Sequence, residues 1–418
     1  MPRRQGYALL IALVTGTAAL AAAVAIAGSL LFTGPRATAA AATAPQGVAR
    51  TPAAPVAPAH STGHWLATWA AAPVLGMADP AQAEDQSRRV IRNVVHTSVG
   101  GAEARLTLSN LFGTAPLLID HVTVNTRPVT FRGAPTVTVA AGGQIVSDPV
   151  AVPVTADADL VVALRTPTAD GPVTTHPNSH QTSYTEDDRG TWSTTQWRYL
   201  TAVDVRGDAR ATATLVAFGD SLTAGTGSTT DANTRWPDVL ADRLDGRYAV
   251  VNEGIAGNRL LRDRIGPRGL DRFERDVLGV SGVKTVVIAL GINDVQAFPK
   301  ETDPARITGA LRGLTQRAHA RGLHVVGATL MPYRGYRTWT PAQNEVRERV
   351  NAEIRAGGVF DEVIDSDLSM RDPADPRRLS PAYDSGDHLH LNDAGYARLA
   401  AQIDVRPLLT TRATTDAL

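Results

Sequence analysis

The stretch Thr214-Leu215-Val216-Ala217-Phe218-Gly219-Asp220-Ser221-Leu222 decides how this chain is read. From Thr214 to Phe218 it is apolar without alternation, as suits a strand covered on both faces. Gly219 permits a tight turn, and Asp220 and Ser221 are residue types that turn a chain and cap a helix. Three runs of the same kind follow: Tyr248 to Asn252, Thr285 to Leu290 and His324 to Thr329. Helix-length segments with apolar residues at helical spacing separate them, among them Trp236 to Leu244 and Pro304 to Arg321. This alternation predicts an α/β domain over residues 211–410, an open parallel sheet with helices on both sides. In such sheets reactive groups gather beyond the carboxyl ends of the strands. Ser221 and Asn293 each stand just after a predicted strand.

Toward the N-terminus the pattern changes. Residues 63–206 carry short alternating runs such as Arg89 to His96, Ala104 to Ser109, His121 to Val124, Thr136 to Val139 and Leu160 to Leu164. Pairs like Gly100-Gly101 separate them, and no long helix stands out, which predicts an antiparallel β-sandwich or jelly roll. Trp65, Trp69, Trp192 and Trp197 are candidates for a sugar-stacking face or for core packing. Residues 40–62 are alanine, proline and threonine with hardly a charge, an extended tether. Before them, Arg3 and Arg4 precede an almost uncharged stretch from Gly6 to Gly34 and the small-x-small pattern Ala37-Thr38-Ala39. Residues 1–39 therefore read as a cleaved export signal, with a retained membrane anchor as the alternative. Either reading places the remainder outside the cytoplasm, with membrane association only through this segment. Residues 411–418 read as a tail.

Composition narrows the chemistry. Lysine plus arginine and aspartate plus glutamate balance at 41 each over 418 residues, so no basic excess points to nucleic acid. The chain has no cysteine, which excludes disulfides, thiolate metal sites and a cysteine nucleophile.

Four segments in chain order hold the reactive candidates: Gly219-Asp220-Ser221-Leu222, Gly254 to Asn258, Gly291-Ile292-Asn293-Asp294, and Asp387 to Asn392. Each has a plainer reading in isolation, as a turn, loop glycine or cap. Together they supply a serine, a glycine N–H and an asparagine amide able to hold an oxyanion, and a carboxylate three residues before a histidine. That spacing lets Asp387 reach back to the imidazole of His390 and fix its tautomer, while His388 faces solvent or the cleft. Metal ligation by Asp384, Asp387, His388 and His390 is the competing reading, but neither a third histidine nor H-E-x-x-H completes a zinc site. The lipase elbow Gly-x-Ser-x-Gly is absent, since Thr223 stands where its second glycine would be.

From about Ala211 to Leu409 the chain resembles the SGNH hydrolases, the GDSL-type lipase/esterase superfamily, matching all four of their blocks. The resemblance implies a flavodoxin-like α/β/α fold with Ser221 as nucleophile, His390 as base and Asp387 as its partner. It also implies an oxyanion hole of the Ser221 and Gly257 N–H groups and the Asn293 amide, with no metal or organic cofactor. The expected activity is hydrolysis of a small-molecule or polysaccharide ester. The alternatives are a carbohydrate O-acetylesterase or acyltransferase, and a glycan- or wall-binding protein whose hydrolase domain is inert. The N-terminal half is similar to β-rich modules preceding such domains in some exported actinobacterial esterases and carbohydrate acetylesterases.

Overall fold

Strand Thr214–Gly219 is buried along its whole length, as its unbroken apolar pattern requires, and lies inside a five-stranded parallel sheet. The spatial order is Ala249–Gly254, Thr214–Gly219, Val283–Ala289, His324–Ala328, Glu362–Ile364. The first strand in sequence is thus flanked by the second and third, the flavodoxin-like order whose switch point opens a crevice at the carboxyl ends. All four pairings are parallel. Helices Trp236–Leu244 and Asp393–Ala401 pack together, and Pro304–His319 packs against Pro341–Arg355 and Gly269–Phe273. The computed structural model describes residues 64–76, 89–167, 171–207, 210–406 and 408, all within one compact unit, His60–Leu418. The export segment, the tether and the tail expected from the sequence lie outside the described residues. Among the described residues no helix is long and apolar enough to cross a membrane.

Local chemistry sets the element ends. Pro304–His319 starts under an Asp303 side-chain cap with proline in its first turn, and Gly322 follows its end with φ +69°. Its buried face is Ile307, Leu311, Leu314 and Ala318, the helical spacing read from the sequence.

The N-terminal half is all-β and every strand pairing in it is antiparallel. Sheets of five, seven and three strands enclose a core that includes Leu106, Leu108, Ile119 and Val162. In Gly101–Ser109 the buried residues Ala104, Leu106 and Leu108 alternate with half-exposed ones, the signature of a strand with one covered face. Trp69 and Trp197 are core residues that meet edge to face at 4.8 Å, Trp65 lies under Arg105 and Arg206, and Trp192 is exposed. The four tryptophans therefore form no common stacking face.

The two halves share structure. In strand Trp65–Ala70, Leu66 and Trp69 belong to the β core while Ala67 and Ala70 belong to the α/β core. Ala67 N donates to Ser281 O at 3.1 Å. Ala249–Gly254 is an edge strand of the parallel sheet, and its Val250 N–H donates to Ser98 Oγ of the β-rich region at 3.0 Å. The β-rich half thus covers an edge that would otherwise present unpaired backbone.

Candidate active site

Ser221 opens a single helical turn, Ser221–Ala224, directly after the first strand of the sheet. Any Cβ on Gly219 would meet Thr223 Oγ1 at 2.1 Å and the Ala289 carbonyl at 2.7 Å, so the turn requires glycine there. Asp220 caps the turn by accepting from Leu222 N at 3.1 Å. The second strand leads to Gly257, with φ +76°, and the third to Asn293 at the start of helix Ile292–Gln296. Three adjacent strand ends therefore deliver the three groups that the sequence singled out.

The fourth segment closes on them. His390 Nε2 lies 2.9 Å from Ser221 Oγ, and His390 Nδ1 lies 2.6 Å from Asp387 Oδ2. Asp387 is held by its neighbours, since its Oδ1 accepts from Leu389 N at 3.0 Å and His390 N at 2.8 Å. A carboxylate only accepts, so Nδ1 carries the proton and the lone pair of Nε2 faces the serine hydroxyl. Burial works to raise the Asp387 pKa, but the backbone and imidazole N–H bonds from His390 and the Leu389 N–H prevail and hold it below 3.8. Tyr336 stands edge-on to the His390 ring at 6.3 Å.

His388 does not join this relay. Its Nδ1 lies 2.6 Å from Asp384 Oδ2 and its N–H donates to Asp384 Oδ1 at 3.0 Å. The four residues read as alternative metal ligands are thus divided into two carboxylate–imidazole pairs.

The N–H groups of Ser221 and Gly257 donate to no acceptor among the described residues, which leaves them free for an anionic oxygen. Asn293 Nδ2 donates to Asn258 O at 2.9 Å and, at a longer 3.3 Å, to Asp220 Oδ2. Gln296 Nε2 donates to Asn293 Oδ1 at 2.9 Å and Thr338 Oγ1 donates to Gln296 Oε1 at 2.7 Å, so the amide is oriented from behind. Burial pushes the Asp220 carboxyl up to about 7. Asp294 accepts from Leu260 N at 2.7 Å and Leu261 N at 3.0 Å, tying the Gly257 loop to the Asn293 turn.

Sequence reasoning missed several supports. Arg272 is fully buried and donates to the Gly219 and Glu253 carbonyls, to Asn258 Oδ1 and to Asp276, joining two strand ends to the glycine loop. Its guanidinium lies 4.0 Å over the Phe218 ring. Gln296 and Tyr336 carry no motif at all, and Arg272 stands unmarked in a charged stretch, Asp271 to Asp276.

Residues 217–398 match the GDSL-like lipase/acylhydrolase family. No curated protein matches the chain. Solved structures similar to it include a carbohydrate acetylesterase from Sinorhizobium meliloti, 19% identical, over 45% of this chain and 94% of that one, with a TM-score of 0.37. The native aryl esterase of M. smegmatis is also 19% identical, over 45% of this chain and 95% of its own, with a TM-score of 0.38. The lipase/acylhydrolase of Enterococcus faecalis is 24% identical, over 47% and 95%, with a TM-score of 0.37.

Proposed function

Residues 217–398 belong to the GDSL-like lipase/acylhydrolase family, and from that premise we propose that this protein is an extracytoplasmic serine hydrolase of carboxylic esters. The observation that carries the proposal is the continuous relay from Ser221 Oγ through His390 to Asp387, at 2.9 and 2.6 Å. The extracytoplasmic placement rests on the sequence of residues 1–39 alone.

In the proposed mechanism His390 takes the hydroxyl proton as Ser221 Oγ attacks the ester carbonyl. Asp387 stabilises the imidazolium that forms. The carbonyl oxygen becomes anionic and moves among the Ser221 and Gly257 N–H groups and the Asn293 amide. The long bond from Asn293 to Asp220 is the one that yields, because burial favours an uncharged Asp220, a weaker acceptor than a carboxylate. Collapse expels the alcohol, which takes its proton from His390. Water activated by the same imidazole then frees the acid from the acyl-serine. Each oxyanion donor of this kind is worth roughly 3 kcal/mol of barrier.

A serine-directed fluorophosphonate, together with p-nitrophenyl esters from acetyl to palmitoyl, acetylated xylan and peptidoglycan, tests the reading. Wild-type protein should be labelled and should turn over at least one ester class, and Ser221→Ala should do neither while staying folded. Labelling and turnover that survive Ser221→Ala would remove this serine from the mechanism. An inert wild type would leave a glycan-binding protein as the reading.

A further inference from the structure

The β-rich half reaches the loop that carries Gly257. In strand Val74–Gly76 of that half Leu75 is exposed, while Val74 is buried in a small apolar cluster with Ala72 and with Ile255 of the hydrolase half. The strand is seated from its own side. It pairs antiparallel with Val173–Pro177, and buried His176 donates from Nδ1 to Ala72 O at 2.8 Å.

Val74 packs on both sides of one turn. Ile255-Ala256-Gly257-Asn258 is closed by Asn258 N donating to Ile255 O at 3.0 Å, with Gly257 in third place at φ +76°. A type II turn requires that sign of φ at its third residue. Ile255, at the start, lies in the Val74 cluster and donates its N–H to Gly219 O at 3.1 Å. Asn258, at the end, donates from Nδ2 to Ile265 O and Pro267 O at 2.9 and 2.8 Å. Gly266 stands between those two carbonyls and faces Val74: a Cβ there would meet Val74 Cγ1 at 2.9 Å and Ile255 Cδ1 at 3.2 Å. Ile265 folds back over the turn, its Cδ1 2.9 Å from where a Cβ on Gly257 would stand.

Type I and type II turns differ mainly by a flip of the central peptide, and glycine in third place permits both. Here that peptide joins Ala256 to Gly257, and its N–H is one of the three oxyanion donors. A flip would put a carbonyl oxygen where the N–H now points. We propose that Val74 is a positioning residue for the oxyanion hole, so that the β-rich half completes the catalytic apparatus. By packing on Ile255 and Gly266 it holds the turn in the form that aims the Gly257 N–H into the site. The inference rests on the hydrolase reading above.

Full-length Val74→Ala makes the test, with Val162→Ala as a truncation of the same size inside the β core. The readouts are steady-state hydrolysis of p-nitrophenyl acetate and inhibition by an aryl trifluoromethyl ketone. Ser221 Oγ adds to the ketone carbon, its proton passes to His390, and the carbonyl oxygen becomes an anion seated in the hole. Val74→Ala should lower kcat by about tenfold, less than the roughly 10²–10³ of a deleted donor. KM should stay unchanged, and affinity for the ketone should fall by the same factor as kcat. Val162→Ala should lose stability in urea without either kinetic change. Ile255→Val, which trims the Cδ1 beside Val74, should repeat the pattern at about threefold and decides the matter if Val74→Ala does not fold. An unchanged kcat, a loss confined to KM, an equal loss in Val162→Ala, or undiminished affinity for the ketone overturns the proposal. A wild type that neither cleaves the ester nor binds the ketone would instead overturn the hydrolase reading, and this inference with it.

Discussion

Asp387→Asn isolates what the carboxylate does for His390. Asparagine keeps an oxygen where Asp387 Oδ1 accepts from Leu389 N and His390 N, at 3.0 and 2.8 Å, so the loop should hold its shape. Its NH2 group then replaces the oxygen 2.6 Å from His390 Nδ1. A donor there forces Nδ1 to accept, which moves the ring proton to Nε2. That nitrogen now points an N–H at Ser221 Oγ and cannot take the serine proton. The expected loss is roughly 10⁴ in kcat, as wrong-tautomer substitutions produce in serine triads. At 1.36 kcal/mol per tenfold this is about 5.4 kcal/mol of barrier. The assay is steady-state hydrolysis of p-nitrophenyl acetate, with circular dichroism and thermal melting to show an intact fold. His388→Ala serves as the control, because its partner Asp384 has no link to Ser221 and the loss should stay under about tenfold. A folded Asp387→Asn enzyme within about tenfold of wild type, or a His388→Ala loss greater than that of His390→Ala, would refute the reasoning.

Asn293→Ala should cost about 10²–10³ in kcat with little change in KM, because the amide meets the oxyanion only as it forms; steady-state kinetics decide, and a loss confined to KM would count against the role. Arg272→Met should lower stability by about 3–5 kcal/mol in urea melts, since it removes the bonds to the buried Gly219, Glu253 and Asn258 oxygens and leaves buried Asp276 to Arg275 alone; a change under about 1 kcal/mol would show that the hub is dispensable. Asp220 makes a pH prediction. Its folded pKa of about 7 lies above its ordinary 3.8, so between those values the native state keeps a proton that the unfolded chain has released. Its contribution is complete below the lower value and is lost as pH rises through the upper one. Wild type should therefore lose stability relative to Asp220→Asn across that window, by up to roughly 4 kcal/mol, and parallel pH curves would contradict it.

The parallel sheet was legible because its strands are covered on both faces and so read as unbroken apolar runs, Thr214 to Phe218 above all. The candidate site was legible because Ser221, Gly257 and Asn293 each come after a strand, where backbone geometry restricts residue type as at Gly219, and because Asp387 and His390 stand three residues apart in one loop. Helix Pro341–Arg355 was not named from sequence, and its buried face explains why. That face mixes Val350 and Ile354 with Gln343, which donates to Val295 O, Asn344, which donates to Glu348, and Arg347 and Asn351, held by Asp367 and the Leu330 backbone, so polar satisfaction interrupts the apolar stripe on which periodicity depends. Strand Glu362–Ile364 is too short to show a pattern. The supports of the site escaped for a different reason. Arg272 meets Gly219 and Glu253 far back in the chain, and Gln296 is set by the distant Thr338; no local spacing encodes such a meeting.

Strand Trp65–Ala70, shared by two cores, changes what the chain can exchange with other proteins. A module joined only by a linker can be moved between genes as a cassette. Here a transplanted β-rich half would carry Ala67 and Ala70 outward as an unclad apolar strip, and the recipient would need a counterpart to Ser281 for the Ala67 N–H. The hydrolase half left behind would lose the side chain that satisfies Val250 at its open margin. Inheritance of the two halves as a single block is the arrangement this seam permits, and changes on either side of it are constrained to be complementary.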